Sequence, residues 1–132
     1  MTGIIFSDLG VASSFMSLDW VKLALKQSLG FEPFPATLNV RPKAEGDAET
    51  WRRTRTERAG VPLASAQSGF CNARLYPIQV SSAAGANKID GAVLLPEVED
   101  YPSDKIEIVA PVRLKDYFGV RDGDALTLEF LN

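Results

Sequence analysis

The chain has 132 residues, of which 45% are hydrophobic and 23% charged, with a net charge of −3 and no histidine. This length and composition predict one globular domain, residues 1–132, and do not indicate disorder. Without histidine, Ser-His and Cys-His nucleophile pairs and histidine-ligated metal sites are impossible. Cys71 is the single cysteine, which excludes an internal disulfide and a cysteine-rich zinc site.

The charge and the hydrophobic pattern also bear on partners. The slightly negative net charge argues against general binding to nucleic acid, because proteins that bind the phosphate backbone usually carry a basic surface. The sequence has neither a run of about 18 apolar residues nor a basic N-terminal stretch followed by an apolar one. We therefore expect no membrane span and no signal peptide, and a cytoplasmic protein.

The first elements predicted along the chain are a strand and a helix. Residues 2–6 are apolar and predict a strand that ends at the polar residues after it. Ser17 is the expected N-cap of a helix over residues 18–29, with Gly30 at its C-terminal end. Apolar side chains recur in this helix at helical spacing, so we expect them in the core: Trp20, Val21, Ala24, Leu25 and Leu29.

Residues 42–69 are polar and show little periodicity. We expect a flap or a long irregular connection there, with a short helix around residues 49–55. Within it, residues 51–58 combine a tryptophan with four arginines. That pattern is compatible with nucleic-acid binding, but nearby carboxylates offset the arginines, and a solvated face is the favoured interpretation.

The chain after residue 69 is rich in predicted strands, which we place at residues 70–80, 90–95, 105–110 and 125–130. Turns are expected at residues 82–87 and 122–124. One helix among about six short strands predicts a small closed β-barrel of the mainly β class.

A hydroxyl and a carboxamide lie two residues apart in residues 33–40. Pro33 and Pro35 favour extended backbone there, and side chains at i and i+2 of a strand share a face. Thr37 and Asn39 would then lie side by side, about 7 Å apart at their Cα atoms. Neutral oxygen ligands of this kind suit a Mg²⁺ ion that arrives bound to phosphates. An ordinary polar strand face is the alternative.

Three separated blocks of the sequence resemble the CTP-dependent riboflavin kinases, a family known mainly from archaea. Residues 29–40 resemble the LGFxPxxGTLNV signature of that family. Residues 87–96 form the second block, and residues 106–115 followed by 120–124 form the third, in the order and spacing of the family. The resemblance implies a six-stranded cradle-loop (RIFT-type) barrel with one principal helix. It also implies transfer of a phosphoryl group from CTP or another nucleoside triphosphate to riboflavin, giving CDP and FMN, with Mg²⁺.

The resemblance also implies where a nucleotide would bind. The Gly-rich phosphate loop of the family corresponds to residues 8–15, and four of these would hold the phosphates: Gly10, Val11, Ala12 and Ser13. Asp8 departs from the family pattern and would oppose a bound triphosphate by its charge. A second segment would contact the nucleotide through Val112, Arg113, Leu114 and Lys115, the two cations meeting phosphates or the base edge. A solvated helix start is the alternative for that segment.

For the flavin, the resemblance points to two glutamates. Glu107 lies between Ile106 and Ile108, so strand alternation turns it to the opposite face. The matching glutamate of the family contacts the flavin, and here it would accept the primary ribityl hydroxyl or take its proton, which is a catalytic role. The second flavin position, commonly threonine, is Glu99, which would be costly to desolvate beside Glu107. An outward-facing strand glutamate is the alternative for Glu107.

Two further departures leave more than one function class open. Ala36 replaces the usual glycine before Thr37, which is tolerable in extended backbone. The altered loop at Asp8 and residues 11–14 favours a second hypothesis, a non-catalytic relative that binds flavin or a nucleotide as a sensor or subunit. A nucleic-acid-binding barrel rests only on the arginines of residues 52–58, and the net charge opposes it.

Overall fold

The computed structural model describes residues 1–7, 16, 18–63, 72–83 and 87–131. The helices and strands in these ranges are β1 (Thr2–Phe6), α1 (Asp19–Leu29), β2 (Leu38–Pro42), α2 (Glu45–Glu57), β3 (Val61–Leu63), β4 (Ala73–Ser82), β5 (Lys88–Pro96), β6 (Ile106–Val109), α3 (Leu114–Phe118) and β7 (Ala125–Phe130). Each helix among them is too short or too polar to cross a membrane.

Six strands form a closed antiparallel barrel in the order β4-β5-β6-β2-β1-β7, with β7 pairing back onto β4. The extra strand β3 pairs with the first residues of β4, along the edge that β7 uses further on. The predicted mainly β, six-stranded barrel is therefore confirmed. The four strands expected in the second half of the chain are present, with ends that differ from the prediction by a few residues.

Strand alternation sorts side chains between the barrel interior and its outer face. Ile5 of β1, Val40 of β2, and Ile106 and Ile108 of β6 belong to the interior core. A second buried cluster covers the outer face of β5 and β6, and it includes Ala92, Leu94, Val109 and the α1 residues Val21 and Leu25. The residue between Ile106 and Ile108, Glu107, consequently projects outward from the barrel.

Helix α1 closes this outer cluster and ends where the sequence predicts. Val21 and Leu25 are buried, and Trp20, Ala24 and Leu29 pack against the same cluster. Gly30 adopts a left-handed conformation with φ of 79°, and its N–H donates to the Lys26 carbonyl. Leu18 occupies the N-cap position, and the predicted cap, Ser17, lies outside the described residues.

The short helix expected around residues 49–55 is present, but it is part of the longer helix α2 of 13 residues, and β3 follows it, so the expectation of a mainly irregular connection over residues 42–69 is wrong. Residues 64–69 lie outside the described residues. Trp51 of α2 is only 1% exposed, and its ring centroid lies 5.7 Å from that of Tyr76 and 5.9 Å from that of Phe130. One buried tryptophan attaches an otherwise polar helix to the barrel, so the sequence shows little apolar periodicity.

Two arginines of α2 lie on a solvated face, as predicted, whereas the third, Arg55, is half-buried with its guanidinium carbon 5.8 Å from the centroid of the Trp51 ring. Arg52 and Arg53 are exposed and pair along the helix with Glu49 and Glu57. Because exposed pairs of this kind contribute little to stability, they mainly balance charge. These two arginines therefore do not form an uncompensated basic stripe for a phosphate backbone.

Candidate active site

Thr37, Asn39 and Glu107 meet on the outer face of the barrel, where β2 pairs with β6. Asn39 is the antiparallel partner of Glu107, and the flanking pair Leu38 and Ile108 packs in or against the interior core. Directly paired residues project to the same side of an antiparallel sheet. Thr37 precedes β2, and its Oγ1 donates a hydrogen bond of 3.3 Å to Glu107 Oε1. The structure thus brings together the two predicted metal ligands and the predicted flavin glutamate.

Glu107 is buried, with 6% of its surface exposed. Its second oxygen, Oε2, accepts a hydrogen bond of 2.5 Å from the hydroxyl of Tyr101. A buried carboxylate is costly unless its oxygens are hydrogen-bonded, and here each oxygen has a hydroxyl donor. Glu107 therefore does face outward from the barrel, as the alternative held, but it is buried and hydrogen-bonded rather than solvated.

The side-chain oxygen of Asn39 is buried without a hydrogen-bond partner in the described part of the chain. Buried acceptors are nearly always paired, so this atom is available to bind a ligand. The described ranges contain no group of three or more His, Cys, Asp or Glu residues that could hold a metal ion. Two neutral hard oxygens, from Thr37 and Asn39, still fit a Mg²⁺ ion that takes its other ligands from phosphates and water.

The segment before Thr37 is tied to the end of β6. The N–H of Phe34 donates to the carbonyl of Ala110 at 2.7 Å, and the N–H of Ala36 donates to the carbonyl of Phe34 at 2.8 Å. No non-glycine residue of the described ranges has positive φ. Ala36 consequently replaces the usual glycine of the signature without backbone strain.

The segment predicted to contact a nucleotide lies at the start of α3. Val112 and Leu114 pack against the interior core, and Arg113 is the N-cap residue. Arg113 Nη1 lies 2.7 Å from Asp116 Oδ1, and Lys115 Nζ lies 2.9 Å from Asp122 Oδ1. Both predicted phosphate-binding cations therefore have carboxylate partners.

Asp122 connects Lys115 to the end of β1. Ser7 Oγ donates to Asp122 Oδ2 at 2.6 Å, and Ser7 follows Phe6, the β1 residue that pairs with Asn39. The hydrogen bonds from Ser7 and Lys115 hold the pKa of Asp122 below its ordinary value of 3.8. The register therefore places Lys115 and the Thr37–Asn39 pair at the same end of the barrel.

Of the remaining predicted site residues, the structure describes Glu99 but not the predicted phosphate loop. Gly10, Val11, Ala12 and Ser13 lie outside the described residues, as do Asp8 and Cys71. Glu99 is exposed in the connection between β5 and β6 and makes no hydrogen bond or ion pair within the described ranges. Tyr101, two residues further along, contacts Glu107 instead. Sequence reasoning missed Tyr101, and the available signal was weak: a hydroxyl-bearing aromatic residue in a polar connection.

The chain is similar to known proteins along almost its whole length. A family profile named CTP-dep_RFKase, described as "Domain of unknown function DUF120", matches residues 5–130. A riboflavin kinase of Pyrobaculum arsenaticum is 37% identical over 131 residues, which are 99% of this chain and 60% of that protein. Riboflavin kinases of Archaeoglobus fulgidus and Methanosarcina mazei are each 32% identical and cover 98% of this chain, and 53% and 55% of their own lengths.

These relatives are longer than the chain, which spans 53–60% of their lengths in the three comparisons. The similarity nevertheless reaches all six barrel strands and the extra strand β3, because the family profile runs from within β1 to the end of β7. The chain therefore belongs to the CTP-dependent riboflavin kinase family.

Proposed function

We propose that this domain transfers the γ-phosphoryl group of CTP, or of another nucleoside triphosphate, to the 5′-hydroxyl of riboflavin, yielding FMN and the nucleoside diphosphate. The observation that carries the proposal is the outer-face site, in which buried Glu107 lies beside Thr37 and opposite Asn39. The riboflavin kinases that resemble this chain support the choice of riboflavin as acceptor.

Glu107 would receive the hydroxyl of riboflavin. An ionised carboxylate offers about four lone-pair positions on its two oxygens, and Thr37 and Tyr101 use one on each. A further donor can therefore bind. As the ribityl oxygen bonds to the γ-phosphorus and the bond to the bridging oxygen breaks, the hydroxyl proton passes to Glu107. Phosphoryl transfer depends mainly on positioning and charge stabilisation, so the reaction does not need a histidine.

Thr37 Oγ1 and Asn39 Oδ1 would hold Mg²⁺, which when bound would neutralise charge on the transferring phosphates. Both ligands are neutral, so this chain alone should bind the free ion weakly, and affinity should depend on the nucleotide. The Thr37 hydroxyl would keep donating its hydrogen to Glu107 Oε1 while its oxygen lone pairs stay available to a metal ion, because a hydroxyl both donates and accepts.

Lys115 and Arg113 would contact the nucleotide phosphates. Each now contacts an aspartate that is at least half exposed, with side-chain exposures of 74% for Asp116 and 50% for Asp122. Exposed ion pairs are weak, so exchange of these carboxylates for phosphate oxygens is feasible. Lys115 is the better placed of the two cations, because the Asp122–Ser7 contacts keep it near the end of β1.

The test is incubation with riboflavin, Mg²⁺ and each of the four nucleoside triphosphates, with FMN measured by chromatography. FMN should form with CTP and disappear when a chelator removes the metal. No FMN with any triphosphate would contradict the kinase proposal.

A second candidate is a non-catalytic relative that binds flavin or nucleotide. The observation in its favour is that both predicted phosphate-binding cations are already neutralised by Asp116 and Asp122. Titration of riboflavin fluorescence distinguishes the two, because flavin binding without FMN formation supports this second candidate.

A further inference from the structure

The connection between β5 and β6 folds back onto the proposed active site through one side chain. Tyr101 is partly buried and packs against the interior core, and its hydroxyl donates to Glu107 Oε2 at 2.5 Å. The ammonium of Lys105 lies 5.8 Å from the centroid of the Tyr101 ring, within the range of a cation–π contact. The ring is therefore held by packing and by a cation, and its hydroxyl has a fixed direction.

The backbone alone does not orient the Glu107 carboxylate. Glu107 pairs with Asn39 on one side and with Leu94 on the other, which fixes its Cα and Cβ on the outer face. The remaining side-chain torsions need further restraints, because a glutamate has several staggered rotamers. Thr37 restrains Oε1 and Tyr101 restrains Oε2. Two donors on different oxygens fix the plane of the carboxylate as well as its position.

We propose that Tyr101 is a positioning residue for phosphoryl transfer: it holds the Glu107 carboxylate in the orientation that accepts the riboflavin 5′-hydroxyl. The inference rests on the proposed kinase function. Tyr101 acts through Glu107 and touches neither the transferring phosphate nor the attacking oxygen. Loss of its hydroxyl should affect the chemical step more than nucleotide binding, because the nucleotide is assigned to the Lys115 end of the site.

The test compares Tyr101→Phe with Tyr76→Phe. Both substitutions keep the ring and delete one hydrogen bond, since the hydroxyl of Tyr76 donates to the Arg58 carbonyl at 3.1 Å, away from Glu107. Tyr101→Phe should lower kcat by about tenfold, as expected for one lost hydrogen bond to a charged group, with KM for CTP unchanged. Tyr76→Phe should retain wild-type kcat even if its melting temperature falls. Wild-type kcat in Tyr101→Phe overturns the inference.

A double-mutant cycle with Glu107→Gln tests whether Tyr101 acts through Glu107. Glu107→Gln should lower kcat by at least about 100-fold as a lost proton acceptor, and Tyr101→Phe should have no further effect in that background. Additive effects would mean that the tyrosine acts on something other than Glu107, and the positioning role would be wrong.

Riboflavin binding separates failure of this inference from failure of the proposed function. If the wild-type protein binds riboflavin but forms no FMN, the kinase proposal fails. The positioning role of Tyr101 is then tested by the riboflavin affinity of the variants. Tyr101→Phe should then weaken binding about threefold in the wild-type background and not in Glu107→Gln. If the wild-type protein neither binds riboflavin nor forms FMN, both proposals are overturned.

Discussion

Asn39 of β2 lies directly opposite Glu107 of β6 in an antiparallel pair. Such paired side chains have Cβ atoms about 4.5–5.5 Å apart, so a neutral carboxamide and a buried carboxylate occupy neighbouring positions on one face. A second carboxylate in place of Asn39 would meet Glu107 as a like charge, which destabilises directly opposed residues. The Asn39–Glu107 pair therefore places the proposed metal ligand next to the proposed flavin-binding carboxylate without repulsion between like charges.

Asn39→Ala should remove a proposed metal ligand and leave the fold intact. Its side-chain oxygen has no hydrogen-bond partner among the described residues, so truncation should change stability little. FMN formation should fall by orders of magnitude while the melting temperature stays nearly unchanged. Gln79→Ala is a matched control, because it removes another strand carboxamide, one that contacts Asp90 across the β4–β5 pair. Wild-type turnover of Asn39→Ala at limiting Mg²⁺ would contradict the metal pair.

Thr37→Val and Thr37→Ser distinguish the effect of the Thr37 hydroxyl on activity from the effect of its side-chain shape. Valine has nearly the same shape but no donor for Glu107 Oε1 and no oxygen for the metal, so activity should fall about 10- to 100-fold. Serine keeps the hydroxyl and should retain activity within a few-fold. Steady-state kinetics over a Mg²⁺ series is the measurement. Equal activities of the two variants would show that the Thr37 hydroxyl has no role.

Part of the site could be predicted from the sequence because it depends on strand periodicity. The apolar residues Ile106 and Ile108 predict that one face of their strand lies in the core, so Glu107 between them must project to the opposite face. The two-residue spacing of Thr37 and Asn39 likewise places both on one face of their strand. The burial of Glu107 could not be predicted in this way. The hydroxyl of Tyr101, which donates to the buried carboxylate, comes from a polar connection without periodicity, so no local pattern predicts this contact.

The helix α2 shows a similar limit in the fold. Its 13 residues contain one large apolar side chain, Trp51. This side chain packs on Tyr76 of β4 and Phe130 of β7, which lie far from the helix in sequence. Helix prediction relies on several apolar residues at helical spacing. Here the tertiary contacts of Trp51 hold the helix on the barrel. Because the other residues of the helix are mostly polar, the sequence predicts an irregular connection instead.

Ala36→Gly should not improve activity, although it restores the residue usual in the family. The backbone at Ala36 does not have positive φ, so glycine adds only freedom to the unfolded chain. The variant should lose about 0.4–1 kcal/mol of unfolding free energy, measured by urea denaturation. A gain in kcat would instead mean that substrate binding drives this position into a conformation that only glycine adopts readily.

Asp8→Gly should strengthen CTP binding. Asp8 lies outside the described residues, so this prediction rests on its position in the loop that corresponds to the phosphate loop of the family. Two unit charges about 4 Å apart interact by roughly 4 kcal/mol at an effective dielectric constant near 20, so even a screened carboxylate should weaken triphosphate binding. Calorimetric titration of CTP measures the gain, which Ala12→Gly should increase further, while riboflavin binding stays unchanged. Asp8→Asn separates loss of charge from added flexibility, and unchanged CTP affinity in all variants would show that Asp8 does not face a phosphate.

Asp122→Asn should change how stability depends on pH. Hydrogen bonds from Ser7 and Lys115 lower the pKa of Asp122 in the folded protein below its ordinary value of 3.8. The unfolded chain therefore binds more protons in this range, so the contribution of Asp122 is complete above about pH 4 and is lost as the pH falls through the lowered pKa. The melting temperature of the wild-type protein should exceed that of Asp122→Asn at neutral pH, and the difference should shrink below about pH 4. Ser7→Ala removes the first of the two donors and should give an intermediate profile. A difference between wild type and Asp122→Asn that stays constant down to acid unfolding would show that the Ser7 and Lys115 contacts do not stabilise the Asp122 carboxylate.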